Sequence, residues 1–159
     1  IFGSFDRKLY ALDISDHGRV LWTFTVDNWL WASPKSDGTH VYIADMDGKI
    51  YALSVDRIDG DPPKWVQDIG DAISSTPALS GNQIVVASQN GTVSLLDTVT
   101  GMVEEIPMKL GSKVRAPLAV EERDGSTRVY LGDNEGTVRS IDVDRWRVRW
   151  TISKEDYED

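Results

Sequence analysis

KLYALD (Lys8 to Asp13), KIYALS (Lys49 to Ser54), TVSLLD (Thr92 to Asp97) and TVRSID (Thr137 to Asp142) are four versions of one strand. Their last residues fall at 13, 54, 97 and 142, so the spacing is 41, 43 and 45 residues. A period of about 40 to 50 residues built from short strands marks propeller blades or a related array, because one such unit cannot bury its own apolar face.

The flanks repeat as well. Upstream lie Ala32-Ser33-Pro34, Ser75-Thr76-Pro77 and Arg115-Ala116-Pro117. Each proline opens a strand, where its missing N–H is tolerated. Downstream come Trp22, Trp65 and Trp150, in RVLWTF, PPKWVQDI and RVRWTI. One unit therefore reads as a proline-led strand, a VYIA-type strand, a tight turn, the LYALD-type strand, a second turn and a tryptophan-bearing strand. That is four antiparallel strands per repeat, and the predicted fold class is an all-β propeller.

The turns agree. Asp47-Gly48, Asn90-Gly91 and Glu135-Gly136 separate the second and third strands, and Asn-Gly or Asp-Gly between alternating apolar residues is the strongest short hairpin signal, with positive φ expected at both central positions. The first unit departs, with Asp6-Arg7-Lys8 where the glycine belongs. No stretch carries a capped helical period, so essentially no helix is expected.

The phase of the repeat defines units of about 1–28, 29–70, 71–111 and 112–154, within a single propeller domain. Ile1 to Ser4 aligns with Tyr42 to Asp45, so the first unit is entered in its second strand. About 3.7 blades are present, against an expected ring of six to eight. The outer blade faces are expected to be covered by further blades of the chain, by a second copy or by a partner protein.

Composition narrows the partners. The chain has 159 residues, no cysteine and a net charge of −9. Nucleic-acid binding needs clustered Lys and Arg that displace counterions, so that class is disfavoured, as is an anionic membrane surface. No apolar run is long enough to span a bilayer, so direct membrane insertion is not expected. The missing cysteines remove disulfides, cysteine metal sites and thiol nucleophiles together.

Asp45-Met46-Asp47-Gly48 and Asp133-Asn134-Glu135-Gly136 look like calcium loops, but an EF-hand register would place its first ligand on Ile43 and Leu131. Both read better as hairpin turns. His17 and His40, the only histidines, make neither a zinc site nor a triad. Gly111-Ser112-Lys113 lacks the glycine spacing of a phosphate loop, and Asn90-Gly91-Thr92, formally a glycosylation sequon, is explained by the turn. The acidic run Glu155 to Asp159 reads as a solvated linker. No catalytic, cofactor or metal residue is assigned.

The pattern LDTVTGMVEE from Leu96, IDVDRWRVRW from Ile141 and, one residue longer, ALDISDHGRVLW from Ala11 resembles the pyrroloquinoline-quinone (PQQ) repeat of quinoprotein-type β-propellers. That resemblance implies that Trp22, Trp65 and Trp150 dock between neighbouring blades, each burying about 200 Å², or at most roughly 5 kcal/mol. The third unit departs: eight residues after Asp97 stands Glu105, where Trp150 stands eight after Asp142. Either Glu105 turns outward or that junction is looser. A second departure is the insertion Arg57 to Pro63, expected to bulge as a surface loop.

The resemblance implies an extracytoplasmic, non-catalytic scaffold, like the envelope lipoproteins that assist outer-membrane protein assembly or subunits docked on larger complexes. It also covers quinoprotein dehydrogenases, which would need calcium and quinone contacts that no motif here matches, and propeller ectodomains of receptor kinases. One surface stands out. The linker before the second unit carries Trp29-Leu30-Trp31, where the next has Ala72-Ile73-Ser74, and Lys113 and Arg115 occupy the matching rim of the last unit. These four side chains are the candidate partner-binding rim. Trp31, which precedes Ala32 and Ser33 in strand register, is the member expected to pack inward.

Overall fold

The computed structural model describes residues 1–157; the last two residues of the acidic run lie outside them. Fifteen strands form four antiparallel sheets in sequence order. The first holds β1 (Phe2–Gly3), β2 (Lys8–Asp13) and β3 (Arg19–Thr25). The second holds β4 (Lys35–Ser36), β5 (His40–Ala44), β6 (Lys49–Ser54) and β7 (Trp65–Asp68). The third holds β8 (Ala78–Ser80), β9 (Gln83–Ala87), β10 (Thr92–Asp97) and β11 (Met108–Lys109). The fourth holds β12 (Ala119–Arg123), β13 (Ser126–Gly132), β14 (Val138–Asp142) and β15 (Arg147–Ile152). A single 3-10 turn at Lys154–Asp156 is the only helical element among the described residues.

The pairing registers are superimposable. Gly3 faces Leu9, Ala44 faces Ile50 and Ala87 faces Val93. Beyond each pair the hairpin closes in the same way, with Ser4, Asp45, Ser88 and Asp133 donating their N–H to the carbonyls of Lys8, Lys49, Thr92 and Thr137 at 2.9 to 3.0 Å. The turns are not the two-residue type that the Asn-Gly and Asp-Gly pairs suggested. Only the glycine has positive φ (Gly48 87°, Gly91 80°, Gly136 80°), while Asp47 and Asn90 do not. In the first unit Arg7 takes that conformation, at φ 66°. The side chain at the turn's entrance supplies the rest: Asp45 Oδ1 accepts from the N–H of Asp47 and Lys49, and Asp133 Oδ1 from Glu135 and Thr137. A second reason for glycine lies outside the turn. A Cβ on Gly48 would meet the Asp71 carbonyl oxygen at 2.5 Å, and one on Gly91 the Ser112 carbonyl oxygen at 2.5 Å.

Strand alternation builds three inter-blade cores. Val41 and Ile43 of β5, with Tyr51 and Leu53 of β6, face Leu9 and Trp22 of the first blade. Tyr42 and Ala44 point the other way, to Ile73, Ile84, Val86 and Leu96. The third core joins Val85, Val93 and Leu95 to Val129, Leu131 and Ile141. Middle strands are thus buried on both faces, which explains why β5, β6, β9 and β10 are almost uniformly apolar. The first strands lie side by side: β4 contacts β8 and β8 contacts β12. Thr76 ties them, its Oγ1 accepting from Ser33 N–H and its carbonyl from Leu118 N–H, both at 3.2 Å.

The three junctions are closed in three ways. Trp22 is 2% exposed and donates Nε1–H to the Val55 carbonyl at 3.0 Å. The inserted Arg57 covers it: the guanidinium lies 5.3 Å from the Trp22 ring and 4.9 Å from Phe24, and donates to the Thr23 carbonyl at 2.8 Å. The insertion therefore does not simply bulge. Its first residue is buried and clamps the preceding blade, because a guanidinium keeps its charge while stacking on aromatic faces. At the next junction Trp65 donates to the Thr98 carbonyl at 2.9 Å and lies directly over Gly101.

The third junction is reversed. Glu105 is exposed, and the indole comes from the opposite blade: Trp146 donates Nε1–H to the Ile106 carbonyl at 2.8 Å and packs on the third core. Position 146 is the counterpart of Gly101. Each is the left-handed residue four places after a strand-ending aspartate, at φ 45° and 74°. Trp150 keeps the register of Trp22 and Trp65, facing Ser140 as they face Ala11 and Ala52. It stands 38% exposed against Tyr130, 5.9 Å between ring centroids.

Candidate interaction rim

The loops before each first strand are fixed by one repeated backbone bond. Met46, Gln89 and Asn134 donate their N–H to the carbonyls of Trp29, Ala72 and Lys113 at 3.1, 2.8 and 2.9 Å. Trp29, Ala72 and Lys113 are therefore equivalent, as are Leu30, Ile73 and Val114, which are all buried, and then Trp31, Ser74 and Arg115. Along the rim the second blade presents two indoles, the third two small residues and the fourth two cations. The sequence expectation that Trp31 packs inward is wrong: Leu30, between the two tryptophans, is the core residue, and an alternating chain turns both its neighbours outward.

Trp29 is 54% and Trp31 61% exposed. Phe5, the first turn residue of the first blade, is 60% exposed and joins them, its ring 6.5 Å from Trp29 and 5.3 Å from Trp31. Sequence reading missed Phe5 because its turn lacks the glycine that marked the others. The three rings line a concavity of about 240 Å³. On the far side of Trp31 a second cleft of about 240 Å³ is lined by Trp31, Met46, Ser74, Gln89 and Arg115. The structure thus brings Trp29, Trp31 and Arg115 to one continuous surface. Lys113 is exposed next to it on the same rim loop, and neither its ammonium nor the Arg115 guanidinium has a hydrogen bond or ion pair among the described residues.

The deepest carboxylates serve the blades. Asp45 is fully buried and accepts from Tyr51 O–H at 2.9 Å besides its two turn bonds. Burial and the carboxylates of Asp45 and Asp27 push the Tyr51 phenol well above its usual range. Asp133 is bound by Ser112 Oγ and Arg139 as well as its turn. Burial raises its pKa, but the bonds from Ser112, Arg139, Thr137 and Glu135 outweigh that and hold it below the ordinary carboxylate value. Their lone pairs are occupied by protein donors, so they do not fit the calcium-and-quinone site that PQQ-repeat enzymes would require. Among the described residues no cluster of three or more His, Asp or Glu side chains has metal-ligand geometry, and no helix is long and apolar enough to cross a membrane.

Antiparallel blades of up to four strands, with last-strand tryptophans closing two of the three junctions, define the class as a PQQ-repeat β-propeller. The family model described as outer membrane protein assembly factor BamB matches residues 2–151, and the chain belongs to that family. BamB from Moraxella catarrhalis has a similar structure, with a TM-score of 0.77 at 18% identity; the match covers 96% of this chain and 44% of that one. At that identity it shows a common fold. No curated protein sequence matches the chain.

Proposed function

We propose that this chain is a non-catalytic scaffold that holds another protein in an outer-membrane assembly complex, outside the cytoplasm. The family description and the fold support an accessory role. The observation that carries the reading is the cluster of Phe5, Trp29 and Trp31, large side chains more than half exposed on a rim whose loops are each held by a backbone hydrogen bond from the same blade's hairpin turn. Exposed aromatic clusters on rigid frames are typical anchors of protein interfaces, because little conformational freedom is lost on binding. The buried carboxyl groups of Asp45 and Asp133 are engaged by their own hairpin turns and by Tyr51, Ser112 and Arg139.

The test is affinity purification of the full-length protein from its own host after mild crosslinking. The reading expects specific enrichment of outer-membrane assembly components, lost in Trp29→Ala/Trp31→Ala with the thermal midpoint retained. Recovery of quinone-dependent dehydrogenase activity, or equal capture by the variant, contradicts it.

A further inference from the structure

The rim side chains change character in register from blade to blade, and this sequence of sizes and charges makes a trough. At the position of Trp31 the third blade has Ser74 and the fourth Arg115, and at the position of Trp29 they have Ala72 and Lys113. The small residues of the middle blade form a floor between an aromatic wall and a cationic wall. Gln89 lies in that floor. Its Nε2 donates to Ser74 Oγ at 3.1 Å, which leaves its amide carbonyl for an incoming N–H.

The far wall places two cations, Lys113 and Arg115, on one rim loop. The chain carries 26 acidic against 17 basic residues, and seven ion pairs of Lys or Arg with Asp or Glu join its described side chains. Neither Lys113 nor Arg115 takes part. Of the acids on the rim turns, Asp71 accepts from Asn90 N–H at 2.6 Å and Asp47 from Asn28 Nδ2 at 2.6 Å, and Glu135 stands exposed on the fourth blade's own turn. A guanidinium beside an indole, without an internal carboxylate, recognises a planar anion next to an apolar group.

We propose that this trough seats an extended segment of a partner protein in which an apolar, preferably aromatic, side chain lies close to a carboxylate. The apolar side chain enters between Phe5, Trp29 and Trp31. The segment crosses the third blade over Ser74 with a backbone N–H on Gln89, and the carboxylate reaches Arg115, with Lys113 adding to the positive field. The proposal rests on the scaffold reading and goes further by fixing the chemistry of the bound segment.

The probes are fluorescein-labelled Gly/Ser peptides carrying one Phe and one Asp at separations of one, two and three residues, with Asn and Lys in place of Asp as controls. Polarisation titrations against the full-length protein at low and at physiological salt should show the Phe/Asp peptide binding about five- to tenfold more tightly than Phe/Asn, as expected for one partly screened pair. Arg115→Glu should abolish that preference and favour Phe/Lys, and Trp31→Ala should weaken all three. Arg115 is exposed, so the charge reversal does not depend on a variant that threatens folding. Equal binding of Asp and Asn peptides, no binding of any peptide, or displacement by an oligosaccharide alone overturns the proposal. If rim variants lose their assembly partners while peptides show no preference, the scaffold reading stands and the trough assignment fails.

Discussion

Trp146 donates its indole N–H to the carbonyl of Ile106 at 2.8 Å, across a junction where the repeat leads one to expect an indole from the other side. At the preceding junction the pair is Trp65 and Gly101; here it is Glu105 and Trp146. Large and small have exchanged blades. The exchange places a tryptophan in the left-handed region, normally the province of glycine and worth of order 1 kcal/mol or more in strain.

Glu105→Trp alone should therefore bring no gain in stability, since Trp146 already fills the junction. Trp146→Gly alone should cost about 2 kcal/mol through the cavity it leaves, less the strain it relieves. Combined, the two changes rebuild the Trp65–Gly101 arrangement. Urea unfolding of the four proteins should give a favourable coupling of about 1 kcal/mol or more. Strict additivity would show that the two positions are not one site.

Gly101→Ala tests the regular junction. Its new Cβ would lie 2.5 Å from Trp65 Cδ2 on a residue at φ 74°, so strain and displaced packing add to about 3 kcal/mol. Gly18→Ala, at φ 80° with open space around its Cβ, should cost only about 1 kcal/mol. A difference between their thermal midpoints isolates the indole contact.

Asp133 makes stability depend on acid. Its carboxyl titrates lower in the folded protein than in the unfolded chain, so its contribution is complete above the unfolded value, near pH 4, and is lost as pH falls through the lowered folded value. Asp133→Asn keeps acceptors for Glu135 and Thr137 but leaves Arg139 without its anion, at about 3 kcal/mol near neutrality. Urea midpoints between pH 2.5 and 6 should converge for the two proteins toward the acid end. A constant offset throughout would mean that the ion pair contributes nothing specific.

The blade pattern was legible in the chain because it rests on local chemistry. KIYALS and VYIA alternate with period two, Gly48 and Gly91 mark left-handed turns, and Trp22 and Trp65 recur in register with Ala11 and Ala52. What escaped was set by neighbours in space. Trp146 looked like an ordinary turn residue since its partner, Ile106, is forty positions away. Arg57 lay in an insertion with no repeat to compare, and only the aromatic rings of the previous blade give its cation a place to bury. At the rim, Trp29, Trp31 and Arg115 were found by their departure from small neighbours, but the choice between Leu30 and Trp31 for the core needed the backbone bond from Met46 to fix the phase.

The most direct measurement of the account is outer-membrane protein assembly in the native host, with the chromosomal copy replaced by the full-length Trp29→Ala/Trp31→Ala variant. Its abundance and thermal midpoint should match those of the unchanged protein, because both side chains are more than half exposed. Levels of folded outer-membrane proteins are expected to fall to those of a deletion strain. Full assembly with a stably expressed variant would contradict a rim-borne scaffold.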